Sequence, residues 1–168
     1  MIERRSLALV MAGATLAGCA ATAQPGMTGG APSAMRMRAA QGGVFLMQTA
    51  QLGTQKAARP ELRRFAPFEV SEQQGLMDAM AQVHGAMAMP PMPDDKAAML
   101  RQLQSASGPE FDRLFVTAQV QGHQEALQLY TTMSQDASTP APDRAIALLA
   151  ADRIREHLAF LQAVAPRA

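Results

Sequence analysis

An all-α fold, a four-helix bundle, is what the sequence predicts, and three observations predict it. From Val44 to Val164 apolar residues recur every three or four positions, with no run of strict alternation that would mark a strand. Prolines and polar clusters interrupt that pattern at Arg59-Pro60, across residues 84–109 and at Thr139-Pro140, leaving four long segments and one short one. Roughly 120 residues are enough to close a single core without disulfides. With 4% aromatics and no Trp, that core is built from Leu, Ala, Met and Phe.

The N-terminus carries an address. Arg4 and Arg5 precede an apolar run from Leu7 to Leu16, and small residues lead to Cys19. Such a run is too short for the roughly 20 residues that span a bilayer, so residues 1–18 read as a cleaved export signal. Cys19 is the one cysteine, which excludes an internal disulfide. Leu16-Ala17-Gly18-Cys19 closely resembles the end of a bacterial lipoprotein signal peptide. That resemblance implies acylation of Cys19 and membrane anchoring through it. With Ala20 where an aspartate would retain a lipoprotein at the inner membrane, it also implies the periplasmic face of the outer membrane. Arg4-Arg5-Ser6-Leu7 is similar to a twin-arginine signal as well, so the export route stays open.

Residues 19–43 are rich in Ala, Gly, Pro, Ser, Thr, Gln and Met, with almost no periodic apolar residues. They are expected to form a disordered, lipidated tether with a reach of roughly 25–30 Å. The bundle is then expected over residues 44–165. Its first helix covers about Val44–Ala58, and the second about Pro60–Val83, with Pro67 expected to kink it. One face of the second helix reads Leu62, Phe65, Glu69, Glu72, Leu76, Ala79 and Val83, so two carboxylates lie within an apolar seam. A short helix starts near Asp94-Asp95, where acidic residues suit an N-terminus. Gly108-Pro109 opens the next helix, about Pro109–Met133. Its stripe is Phe111, Phe115, Ala118, Gly122, Ala126, Leu129 and Met133, flanked by Asp112, Gln119, His123 and Tyr130. The last helix, about Pro140–Val164 and capped by Thr139-Pro140, shows Ile146, Leu149, Ala150, Arg153, His157, Leu161 and Val164 on one face, which places Arg153 and His157 at the centre of an apolar stripe.

Phe65-Ala66 with Glu69-Val70 and Glu72-Gln73, Ser107 through Asp112, Gln119 through Gly122-His123, and His157-Leu158 look like the motifs of a bacterial ferritin-like family. Its members are described as predicted outer membrane proteins of unknown function. The resemblance covers about Val44–Val164. It implies a ferritin-like four-helix bundle in the periplasm and carries no assigned activity.

The site chemistry is narrower. A ferritin-type di-iron centre uses Glu-x-x-His from two helices, and the chain has none; its first helix offers Gln48, Gln51 and Gln55 where a carboxylate is wanted. Glu69, Glu72, His123 and His157, with Gln119 and Arg153 nearby, are read first as a structural polar network, because a buried guanidinium pairs with carboxylates and repels a cation. The alternative is a mononuclear site for zinc, iron or manganese. His84, Met87, Met89 and Met92 form a second candidate, a soft-ligand loop for copper, set against the ordinary use of Met as a core gap-filler.

Other functions find little support. The chain holds 15 Lys and Arg against 14 Asp and Glu, and loss of residues 1–18 would remove Arg4, Arg5 and Glu3 and balance the charge. Nothing in that balance attracts nucleic acid. No nucleophile elbow, phosphate loop or dinucleotide fingerprint is present. The sequence therefore points to an anchored helical protein that binds an envelope partner or serves structurally, rather than to an enzyme, and requires no cofactor.

Overall fold

The computed structural model describes residues 33–165, and these are helical throughout apart from short connections. The expected signal peptide, Cys19 and most of the tether lie outside the described residues. Five helices follow in order: α1 (Ala34–Lys56), α2 (Pro60–His84), α3 (Asp94–Ser105), α4 (Gly108–Gln135) and α5 (Ala141–Val164). The four long ones pack pairwise, α1 on α2 and α4, and α5 mainly on α4. The seam between α2 and α5 is looser, and α3 lies against α1 and α4.

One expectation is corrected at the start. Residues 34–43 are helix, where the composition suggested tether; α1 begins at Ala34, with the Ser33 hydroxyl accepting from the Arg36 N–H at 3.2 Å. Ala39 and Gly43 are buried there because small residues let α2 come close; a Cβ on Gly43 would stand 3.0 Å from Gln73 Oε1. A face made of Ala and Gly packs without the large apolar side chains that announce a helix.

Elsewhere the prolines mark helix starts. Pro60, Pro109 and Pro142 sit in the first turns of α2, α4 and α5, where a missing N–H costs nothing. α2 runs on through Pro67, whose side is exposed. Asp112 is buried in α4, and its two oxygens accept from the Ala58 and Arg59 N–H groups at 2.9 and 3.0 Å, which pins the α1–α2 turn. Gly85 ends α2 at a φ of +80°, a conformation that favours glycine. Thr139 is not the α5 cap: Pro140 occupies that position, and the buried Thr139 hydroxyl has no partner among the described residues.

Two apolar clusters fill the interior. Phe45, Leu62, Leu103, Phe111, Phe115 and Leu161 anchor one, and Leu129, Met133, Ala147, Ile154 and Leu158 the other. Val120 and Ala126 touch both, so the clusters meet at the level of His123 on α4. The α4 stripe is the one expected. On α5 the buried positions are Asp143, Ala147, Ala150, Ala151, Ile154, Leu158 and Leu161, while Leu149 is 73% exposed. That rotation carries Arg153 out of the core.

Candidate metal centre

Three side chains from three helices meet where the clusters join. Glu69 comes from α2, His123 from α4 and His157 from α5; Glu69 and His123 are fully buried, and His157 is nearly so. Glu69 Oε2 lies 3.2 Å from His123 Nε2 and 2.9 Å from His157 Nδ1, and the two ring nitrogens are 3.1 Å apart. Phe65, one turn before Glu69, stacks edge-on to His157 at 5.1 Å and parallel to Phe160 at 5.3 Å, walling the group with apolar surface.

Neighbouring groups set the protons. His123 Nδ1 stands 2.8 Å from the Gln119 carbonyl, an acceptor only, so Nδ1 carries the hydrogen. In the protonated ring Nε2 donates to Glu69 Oε2; in the neutral ring it presents a lone pair to the cluster. Gln73 Nε2 donates to Glu69 Oε1 at 2.9 Å, which orients the carboxylate and leaves Oε2 for the imidazoles. Burial alone would raise the Glu69 carboxyl, but hydrogen bonds from His123 and His157, reinforced by their charge, lower it to about 2. Burial likewise opposes a charged His157, yet the bond to Glu69 and the charges of Glu69 and Glu72 raise it above the ordinary histidine value.

Glu72 stands at the rim, Oε2 3.4 Å from His157 Nε2, and its carboxyl is raised, chiefly by burial and further by the Glu69 charge. Behind it the buried Tyr130 phenol is pushed up to about 12 by desolvation and then by Glu72.

Lone pairs of Glu69 Oε2, His123 Nε2 and His157 Nδ1 thus converge on one small volume. With His123 neutral, a single hydrogen on His157 Nδ1 is shared between two acceptors and leaves Glu69 Oε2 facing His123 Nε2 with no hydrogen between them. A divalent cation about 2.0–2.2 Å from each atom satisfies all three at once. The observed separations are slightly tighter than the edge of about 3.4 Å in a tetrahedral site, a difference closed by small outward rotations. With Nδ1 as ligand, His157 Nε2–H points to Glu72, the carboxylate partner that commonly orients a metal-bound imidazole. Two imidazoles and a carboxylate suit zinc, iron or manganese.

The remaining expected residues are dispersed. Gln119 contributes its backbone; its side chain turns to α1, where Nε2 donates to Thr49 Oγ1 at 2.7 Å and to the Leu46 carbonyl at 3.2 Å, leaving Oε1 buried without a partner among the described residues. Arg153 is not the buried guanidinium expected. Its side chain is 58% exposed, bonds Glu156 at 2.6 Å and approaches Glu72 only to 3.7 Å, so the main argument against a cation falls.

The copper loop is split. His84 gives Nε2 to Asp143 on α5 at 2.5 Å, Met92 packs against the Phe45 cluster, and Met87 and Met89 face a cleft with other methionines. Gln73, named in the sequence only within a family motif, and Thr49 were not among the expected site residues. Gln73 was findable, four residues after Glu69 on one helix face. Thr49 carried no signal of its own, because its hydroxyl bonds back to the Phe45 and Leu46 carbonyls.

Residues 17–164 match the model of a family described as a domain of unknown function, DUF4142, and the chain belongs to that family. Neither a curated protein nor a solved structure matches the chain.

Proposed function

We propose that this DUF4142 chain is a lipid-anchored protein of the bacterial envelope, on the periplasmic face of the outer membrane, whose ferritin-like four-helix bundle binds one divalent metal ion at Glu69, His123 and His157. It acts by binding rather than by catalysis. The observation that carries the metal reading is the convergence of three ligand atoms, 2.9–3.2 Å apart, from three helices, with the His123 tautomer fixed by the Gln119 carbonyl. The anchoring reading rests on Cys19 and its flanks. Among the described residues no helix is long and apolar enough to cross a membrane.

Titration of the purified chain with zinc, manganese and iron(II) tests the metal site. A specific ion at about 100 times its Kd adds about 2.7 kcal/mol of stability, and Glu69→Gln and His157→Ala should both abolish that gain. No rise in Tm with any of the three ions, or a rise that survives both variants, refutes the site. The second reading, a purely structural network, is favoured by one observation: Gln73 and His157 each already supply a donor to one oxygen of Glu69, and a protonated His123 would add a third. It predicts a metal-indifferent fold. For the anchor, Cys19→Ala should shift the protein from the membrane to the soluble fraction; retention in the membrane sinks that part.

A further inference from the structure

A cleft of about 650 Å³ lies between α1, α2 and the 85–89 segment. Met37, Met47, Met77, Met80, Met87 and Met89 line it, thioethers brought together from three separate stretches of chain. Its volume falls within the 300–1,000 Å³ typical of small-molecule sites and is many times what an ion occupies. The methionines therefore act as an apolar wall rather than as a ligand set. Unbranched side chains with three rotatable bonds adapt their packing to a flexible linear guest.

The cleft also carries a guanidinium in its lining. Arg36 lines it with only 17% of its side chain exposed, its Nε 3.4 Å from Ser33 Oγ and 4.0 Å from Asp143 Oδ2. Among the described residues its Nη nitrogens have no hydrogen-bond partner. Asp143 bonds His84 through Oδ1 and reaches Arg36 through Oδ2 only as a 4.0 Å ion pair without a hydrogen bond, and Asp78, a carboxylate on the same lining, takes a 2.8 Å bond from Gln74. A half-buried guanidinium with unfilled donors wants a carboxylate, which it can grip through two parallel N–H bonds.

We propose that this cleft binds a free fatty acid, with its alkyl chain along the methionine wall and its carboxylate on Arg36. The cleft shares Gln73 with the surroundings of the metal centre but none of its three ligands.

The purified full-length chain, titrated with a fluorescent fatty acid and then with hexadecanoate or hexadecanol as competitor, tests it. Saturable stoichiometric binding is expected. Arg36→Gln should weaken hexadecanoate about tenfold and leave hexadecanol unchanged. Met47→Glu and Met80→Glu should abolish binding of both while circular dichroism stays helical. Absence of saturable binding, unchanged affinity in both glutamate variants, or equal loss of acid and alcohol in Arg36→Gln would overturn the proposal. So would stoichiometric Cu(I) binding that hexadecanoate does not affect. Binding seen only in Cys19→Ala would identify the occupant as the chain's own acyl group and would overturn it equally.

Discussion

Arg153 and His157 lie four residues apart on α5, yet the helix treats them differently. His157 turns inward to Glu69, whereas Arg153 lies at the rim with more than half its side chain in water. A buried guanidinium torn from its carboxylates would cost about 3–5 kcal/mol, but an exposed pair contributes little. Arg153→Ala should therefore change stability by less than about 0.5 kcal/mol, measured by chemical denaturation, and should leave any metal affinity intact. Glu69→Ala, by contrast, removes a buried partner from two imidazoles and should cost about 3 kcal/mol or more. The members of the cluster were legible, because Glu69, His123 and His157 each interrupt or flank an apolar stripe. The direction of Arg153 was not. A residue at the edge of a stripe differs by one helical position, about 100°, from one at its centre, and periodicity cannot resolve that step.

At the scale of helices, the legible parts were those marked by large apolar side chains or proline. α4 carries its stripe where expected, α2 buries the first half of its own, Leu62 to Glu69, and four helices start beside a proline. The first ten residues of α1 were hidden, because Ala and Gly leave no periodic signal while still permitting close packing. Glycines within the helices therefore have opposite roles, which substitution can separate. A Cβ on Gly122 would lie 2.6 Å from Leu46 Cδ2, and one on Gly53 would lie 2.8 Å from two ring carbons of Phe115 and 3.0 Å from Ala66 Cβ. Gly122→Ala and Gly53→Ala should each destabilise by about 1–3 kcal/mol through overpacking. Gly75, in α2, meets nothing within 4 Å, so Gly75→Ala should instead stabilise by about 0.5–1 kcal/mol by removing backbone freedom from the unfolded chain. Thermal melts of the three variants give the signs directly.

For the molecule as a whole, the buried cluster couples folding to protons, and a bound metal would couple to it in the opposite sense. Glu69 titrates at about 2 when folded, against an ordinary 4.5, so its contribution, on the order of 3 kcal/mol, is complete above pH 4.5 and is lost as pH falls toward 2. His157 is raised above 6.5 in the fold. Its contribution is complete below pH 6.5 and is lost as pH climbs through the raised value. Glu72, also raised, adds its share only at acid pH and loses it as pH rises past 4.5. Metal-free protein should consequently be most stable between about pH 4.5 and 6.5 and weaken on either side. A cation at Glu69, His123 and His157 must displace the proton from His157 Nδ1, so it binds more tightly as that proton leaves. The increment in Tm from a fixed excess of zinc should thus grow between about pH 5.5 and pH 7.5, over the range where the metal-free Tm declines. His157→Ala should flatten both trends. If the metal-free Tm declines as stated while zinc changes it at neither pH, the cluster is a proton-holding structural network and the metal reading falls.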